Sequence, residues 1–386
     1  MVLPALAVSL VVLAGVAAAS QAAAQAAPSP ADLQPNIANL ASLDFPVRMH
    51  AARLIRRTPE GVAVPALGEA VRRHPNEFVR YRALVLLTAF NDPSTRELMR
   101  EMMRDRNDRV REVVYKWFET HPDPRMAAPL VALLETEQAE FVRPALIGAL
   151  AALGAEATVQ RPMIVETARG LDFFRSAVIE ALGRHRVSYA LDPIVNVARL
   201  EGALQDDAVL AIGRIGGPDA VETLNELTEV TPEAAVMRRG ARCLAGENCA
   251  EHLAALMATA TAATARASEV RAAIDALSAV AQGRDGAALA ALLTLATQQS
   301  SVRERAAVAF AGVALRQPDW TVAWINAADE TSREAAVVLL KDGFDSLEED
   351  FAEEQFFAAV RAGYWRAAEG STARALAATL IQRLEF

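Results

Sequence analysis

The sequence predicts an all-α protein, a right-handed α-solenoid of about eleven helical hairpins, and three observations predict it. The first is a recurring arginine. Arg48, Arg80, Arg111, Arg143, Arg175, Arg239, Arg271 and Arg303 follow one another at 32, 31, 32, 32, 64, 32 and 32 residues, so one beat is missed, at Asp207. A fixed period of this size marks stacked helix–turn–helix units, each touching only its neighbours. The second is an apolar stripe set in the same frame at each beat. Val47, Ala51 and Leu54 fall at i, i+4 and i+7, as do Val79, Ala83 and Leu86, which is one face of a helix. The third is punctuation: Asp92-Pro93, Asp123-Pro124 and Asp192-Pro193 place a capping acceptor before a residue that has no amide proton to satisfy. No stretch alternates as a strand would.

Taken in order, residues 1–26 read as a signal peptide. Residues 2–17 are apolar apart from Ser9, the first charged side chain is Asp32, and small-residue sites such as Ala24-Gln25-Ala26 follow. The α-amino group is the sole positive charge ahead of the apolar run, so an uncleaved membrane anchor is the alternative. Residues 27–35, with Pro28, Pro30 and Pro35, read as a flexible lead-in, and 36–386 as the solenoid. First helices of hairpins are the amphipathic runs Pro65–Arg73, Pro129–Leu134 and Ala287–Ala296; second helices carry the arginine frame, as in Val270-Arg271 through Leu277. Alanine within the stripe lets helices approach closely. The tenth and eleventh units hold Arg333 and Arg374, 41 residues apart, around an acidic aromatic stretch from Phe344 to Phe357 and then Tyr364-Trp365. That departure predicts a divergent cap, with partner docking as the alternative. Eleven layers spaced by about 8–10 Å would make a rod on the order of 100 Å long with one concave face.

The Asp/Glu-x-x-(x)-Arg frames, Asp44 to Arg48, Asp108 to Arg111, Glu140 to Arg143 and Asp172 to Arg175, resemble the HEAT repeat family, in particular its phycobilisome-lyase-like bacterial type. The resemblance implies a solenoid over nearly the whole mature chain. It also implies an internal ladder, acid of one repeat to arginine of the next, and partners bound on the inner curve. Such repeats serve scaffolds, transport receptors, lyases and hydroxylases, so function has to come from a site.

Composition fits stacked helices with a thin core, at 53% hydrophobic and 5% aromatic. A net charge of −9 argues against nucleic acid, whose binding rests on basic surface. Residues 44–119 nevertheless carry 15 Arg/Lys against 11 Asp/Glu, while 319–386 carry 6 against 13. Cys243 and Cys249 are the two cysteines, a close pair that reads as a disulfide candidate in an exported chain, with two ordinary small residues as the bland alternative.

Catalytic patterns are absent. The sequence holds no Gly-rich phosphate loop, no Gly-x-Ser-x-Gly and no His-Glu-x-x-His, and none of His50, His74, His121, His185 and His252 precedes a glutamate. His74-Pro75 and His121-Pro122 are placed to cap helix C-termini, and Gly213-Arg-Ile-Gly216-Gly217 reads as a helix end before Pro218. No cofactor or metal is expected. The expectation is a non-catalytic, exported scaffold, periplasmic or secreted, that binds another protein or an envelope component on its concave face. A lyase-type enzyme and a membrane-anchored scaffold are the competing readings, and membrane contact is expected only if the N-terminal segment stays uncleaved. The partner-binding candidates are Arg53, Arg56, Arg57, Arg82 and Lys116, basic residues of second helices outside the apolar stripe, suited to an acidic partner segment.

Overall fold

The computed structural model describes residues 30–90, 92–228, 231–298, 301–345 and 351–384. The signal-peptide segment 1–26 lies outside them, as do residues 27–29 and the acidic run 346–350. Among the described residues there are 22 α-helices, three short 3-10 turns and no strand. The helices pair as eleven hairpins. The first four are α1 (Gln34–Asn39) with α2 (Phe45–Arg56), α3 (Glu60–Arg73) with α4 (Glu77–Leu87), α5 (Thr95–Met102) with α6 (Asp108–Thr120), and α7 (Ala127–Val131) with α8 (Val142–Ala152). Next come α9 (Ala157–Ala168) with α10 (Asp172–Arg184), α11 (Leu191–Ala198) with α12 (Gln205–Ile215), and α13 (Pro218–Glu226) with α14 (Pro232–Leu244). The last four are α15 (Cys249–Thr261) with α16 (Ala267–Gln282), α17 (Gly286–Thr297) with α18 (Arg303–Arg316), α19 (Pro318–Ala327) with α20 (Glu330–Asp345), and α21 (Phe351–Arg366) with α22 (Thr372–Arg383). The all-α solenoid expected from the period is the fold. Among the described residues no helix is long and apolar enough to cross a membrane.

Local chemistry sets the helix ends. Asp44 accepts from the Val47 amide at 3.3 Å, with Pro46 in the first turn, and Asp285 accepts from Ala288 at 2.8 Å. Asp123 caps a 3-10 turn, and Asp192 lies within the first turn of α11 instead of capping it. Helix α3 starts five residues before Pro65, at Glu60. The proline is tolerated because the carbonyl it leaves without a donor belongs to Gly61, in an exposed first turn that water reaches. Residues 30–35, expected as lead-in, form a 3-10 turn and the start of α1, and Leu33 is buried.

Val79, Ala83 and Leu86 are buried as the stripe requires, whereas Val47 and Leu54 of the first hairpin are 40% and 39% exposed. The first hairpin has no earlier unit to cover that face, and it buries Ala51, Ala52 and Ile55 instead. Further along, second helices cross at glycine and alanine. A Cβ added to Gly183 of α10 would lie 2.7 Å from the Ala211 Cα of α12, and one added to Gly240 of α14 would lie 2.9 Å from the Ala276 Cβ of α16. Gly213 meets Ala241 in the same way. Close spacing on one side of a stack, with larger side chains on the other, makes the stack curl.

The curl goes further than the straight rod expected from eleven layers. Helix α21 returns to pack on α4, so the stack closes on itself. The closure is a buried polar clasp. Arg56 Nε donates to Glu354 at 2.9 Å across 298 residues of sequence, Gln355 reaches the Thr88 carbonyl at 3.3 Å, and Arg361 reaches the Ala89 carbonyl at 2.5 Å. Phe357 packs under both arginines. The aromatic C-terminal stretch therefore docks within the chain itself.

Candidate functional site

The frame arginines come first, because they are the commonest cations here and most of them prove structural. Arg80 pairs with Asp105 at 2.9 Å, Arg111 with Glu137 at 2.7 Å and Arg143 with Glu166 at 2.5 Å, each acid belonging to the next hairpin or the turn within it. The same guanidiniums close the turn within the hairpin: Arg111 donates to the Asp105 carbonyl at 2.8 Å, and Arg143 to those of Leu134 and Glu137 at 2.5 and 2.8 Å. The internal ladder is present, with different acids from those quoted for the frame. Asp108 and Asp172 pair inside their own helices, with Arg111 and Arg175. Past the missed beat the rung shifts. Arg238 donates to the Leu224 carbonyl at 3.3 Å, while Arg239, Arg271 and Arg303 are exposed.

At the opposite ends of the second helices lies a cavity of about 650 Å³. The C-terminal ends of α6, α10, α12, α16 and α18 line it, with Leu244 of α14 and the first turn of α21 completing the wall. Six cations point to this space: Lys116, Arg184, Arg186, Arg214, Arg284 and Arg316; Glu119 is the one acid in the lining. Basic residues at helix C-termini offset the negative end of the helix dipole, and part of this cluster serves that purpose. Partner accounting separates the rest. Arg184 pairs with Glu119 at 3.3 Å and Lys116 with Glu112 at 2.8 Å. Arg214 and Arg284 reach only amide oxygens, Gln282 at 3.4 Å and Gln317 at 3.0 Å. Among the described residues none of Arg186, Arg214, Arg284 and Arg316 has a carboxylate within ion-pair distance.

Electrostatics register the crowding. The Arg214 pKa is lowered, chiefly by burial, and the charges of Arg316 and Arg184 add to the effect while Glu180 opposes it. Burial also lowers the pKa of Arg316, together with Arg184. Both keep their charge at any ordinary pH. They are wetted by the cavity yet walled by protein, so they hold less hydration than a surface arginine. Burial works to raise the Glu119 pKa, but the His185 hydrogen bond at 3.0 Å and the nearby Arg184 outweigh it and the net shift is downward. The cavity is an enclosed, cation-rich space whose own acid is already engaged.

Of the residues expected to bind a partner, only Lys116 lines this cavity. Arg56 is buried in the clasp with Glu354, and Arg82 donates to the Leu40 carbonyl at 2.5 Å. Arg53 and Arg57 lie together in a second concavity, of about 470 Å³, beside Tyr364 and Ile381. Cys243 and Cys249 are joined in a disulfide across the turn from α14 to α15. His121 accepts no role beyond its helix end, stacking on Trp117 and bonding its carbonyl at 3.1 Å.

Comparison with known proteins agrees with the architecture. Residues 33–117 match the family described as HEAT repeats, so the chain carries the repeats that its arginine frames resemble. No curated protein matches. Among solved structures, the complex of CpcE and CpcF of phycocyanin lyase from Nostoc is similar at 18% identity and a TM-score of 0.35, over 67% of this chain and 97% of that chain. Human deoxyhypusine hydroxylase follows at 16% identity and a TM-score of 0.29, over 77% and 99%. Importin beta gives 14% identity and a TM-score of 0.37 over 92% of this chain, which spans 57% of that one. Likeness at this level concerns helical repeats and carries no activity.

Proposed function

We propose that the protein is a non-catalytic, exported scaffold that receives an acidic segment of another protein in its central cavity. The observation that carries this reading is the set Arg186, Arg214, Arg284 and Arg316, gathered by separate hairpins and left without carboxylate partners among the described residues. Like charges held together in a walled space repel one another, and a multivalent anion relieves that repulsion. Guanidinium forks match carboxylates in paired hydrogen bonds. Export is supported by the apolar run 2–17 followed by A-x-A sites. A binding role is supported by a lining that offers donors and an already engaged acid.

The test is the affinity of the full mature chain for a fluorescein-labelled hexaglutamate peptide, read by anisotropy across a salt series. Binding should weaken steeply with salt, and the double variant Arg214→Gln/Arg316→Gln should bind at least about tenfold more weakly, the loss expected from two charge-assisted contacts. Equal affinity in the double variant would place the site elsewhere.

A further inference from the structure

Two of the cavity arginines occupy backbone positions suited to glycine. Helix α10 ends in a tight reversal, with Arg186 N–H bonded to the Gly183 carbonyl and Val187 N–H to the Leu182 carbonyl, both at 3.0 Å. The pivot of this motif adopts a left-handed conformation and is most often glycine. Helix α14 follows that rule: Gly246, at φ +95°, pivots the same pair of bonds to Cys243 and Arg242. Helix α10 instead pivots on Arg186 at φ +53°, and α16 is followed by Arg284 at φ +70°, bonded to the Ala281 carbonyl at 2.9 Å. A side chain in this conformation costs about 1–2 kcal/mol. Among the described residues three non-glycine residues have positive φ, and two of them are these arginines, both lining the cavity. The third, Asn248, is of a type that tolerates the conformation. Strain of this kind persists where function holds it.

The shape of the cavity limits what such arginines can grasp. About 650 Å³ falls within the range of about 300–1,000 Å³ typical of small-ligand sites, room for a few residues of extended chain and too little for a folded surface. The wall is continuous where α21 meets α4, and letting the middle of a partner chain pass sideways would break the buried Arg56–Glu354 pair. A chain end enters without opening the clasp. Charge then selects between the two ends: an amino terminus is repelled by the arginines, whereas a carboxy terminus adds a carboxylate to those of acidic side chains.

We propose that Arg186 and Arg284 bind the α-carboxylate of a partner protein's carboxy-terminal tail, with the acidic residues before it spread over Arg214 and Arg316. This rests on the reading of the cavity as an acidic-segment site and makes it specific for an end. The test compares two hexaglutamate peptides labelled at the amino terminus, one with a free carboxy terminus and one amidated, on the full mature chain. Wild type should bind the free form about tenfold more tightly, the value of one or two charge-assisted hydrogen bonds. Arg186→Gly/Arg284→Gly should erase that preference while melting at the same or a higher temperature, since glycine relieves the backbone; Arg186→Asn/Arg284→Asn, also compatible with positive φ, should behave alike. Equal binding of both peptides by wild type overturns the end-specific proposal and leaves the cavity reading standing. A preference that survives in both double variants also overturns it, and binding of neither peptide overturns both.

Discussion

Each second helix of this solenoid carries arginine at its two ends, and the two ends differ in what the arginine meets. At the amino-terminal, periodic end, Arg80, Arg111 and Arg143 are matched with Asp105, Glu137 and Glu166 and with turn carbonyls, so the guanidinium is consumed in joining one hairpin to the next. At the carboxy-terminal end, Arg186, Arg214, Arg284 and Arg316 come without a period and converge on a space that holds one engaged acid. The difference teaches that periodicity in a repeat protein reports on the joints, while departure from it reports on the surface that has a partner to satisfy.

The contrast breaks most sharply by removing one arginine from each end. Arg143→Ala leaves Glu166 buried without its cation and two carbonyls without a donor, and should destabilise the fold by about 3–5 kcal/mol. Arg316→Ala strands no carboxylate and eases repulsion from Arg184, so its stability should stay within about 0.5 kcal/mol of wild type or rise. Chemical denaturation of the two variants side by side checks this; comparable losses would erase the distinction between ends.

Glu354→Ala asks whether the clasp holds the cavity together. It leaves Arg56 without the acid that joins α21 to the second helix of the first hairpin, so the stack should uncurl. Small-angle scattering should record a larger radius of gyration, with far-ultraviolet helicity retained. A smaller expected effect concerns the disulfide. Cys243→Ser/Cys249→Ser should cost about 2 kcal/mol, the chain-entropy value for so short a loop, and thiol labelling of the denatured, unreduced mature protein should find both cysteines blocked. Free thiols there would contradict it.

The missed beat offers the smallest test. Asp207 stands where an arginine would fall and accepts from the Ser176 hydroxyl of the preceding hairpin at 2.6 Å. Burial pushes its pKa up to about 6; the Ser176 bond and Arg214 oppose the rise, and Glu180 and Asp206 add to it. An unfolded aspartate titrates near about 3.9, so the native state holds this proton to higher pH. Its contribution to stability is complete below that value and is lost as pH rises through about 6. Stability should therefore fall over that interval, and Asp207→Asn should flatten the slope; an unchanged slope would assign the dependence to other groups.

Most of the fold was legible in the sequence because the joints are periodic. Arg80, Arg111 and Arg143 recur at the spacing of the hairpins, and eleven hairpins follow from the beat. The acids of the ladder were less legible. Asp105 and Glu137 lie six residues before the next frame arginine, a signal overshadowed by the nearer Asp108 and Glu140. Closure left no local mark: Arg56 and Glu354 sit 298 residues apart, and curvature arises from contacts of Gly183, Gly213 and Gly240 that only the packed helices reveal. The site escaped for a related reason. Arg186, Arg214, Arg284 and Arg316 end helices of different lengths, so they share no spacing, and the inner face was sought near the amino-terminal basic helices. Glycine-like positions occupied by arginine, after Leu182-Gly183 and at Gly283-Arg284, were the one local clue.

The most direct measurement is thermal melting of wild type and Arg214→Gln/Arg316→Gln, each alone and with free-ended hexaglutamate at about 100 times its Kd for wild type. Alone, the two proteins should melt together, or the variant slightly higher. With peptide, wild type should gain about 2.7 kcal/mol, as mass action requires, and the variant should gain much less. A variant that melts far below wild type when alone, or that gains as much from the peptide, would contradict the account that these arginines are held for a ligand and not for the fold.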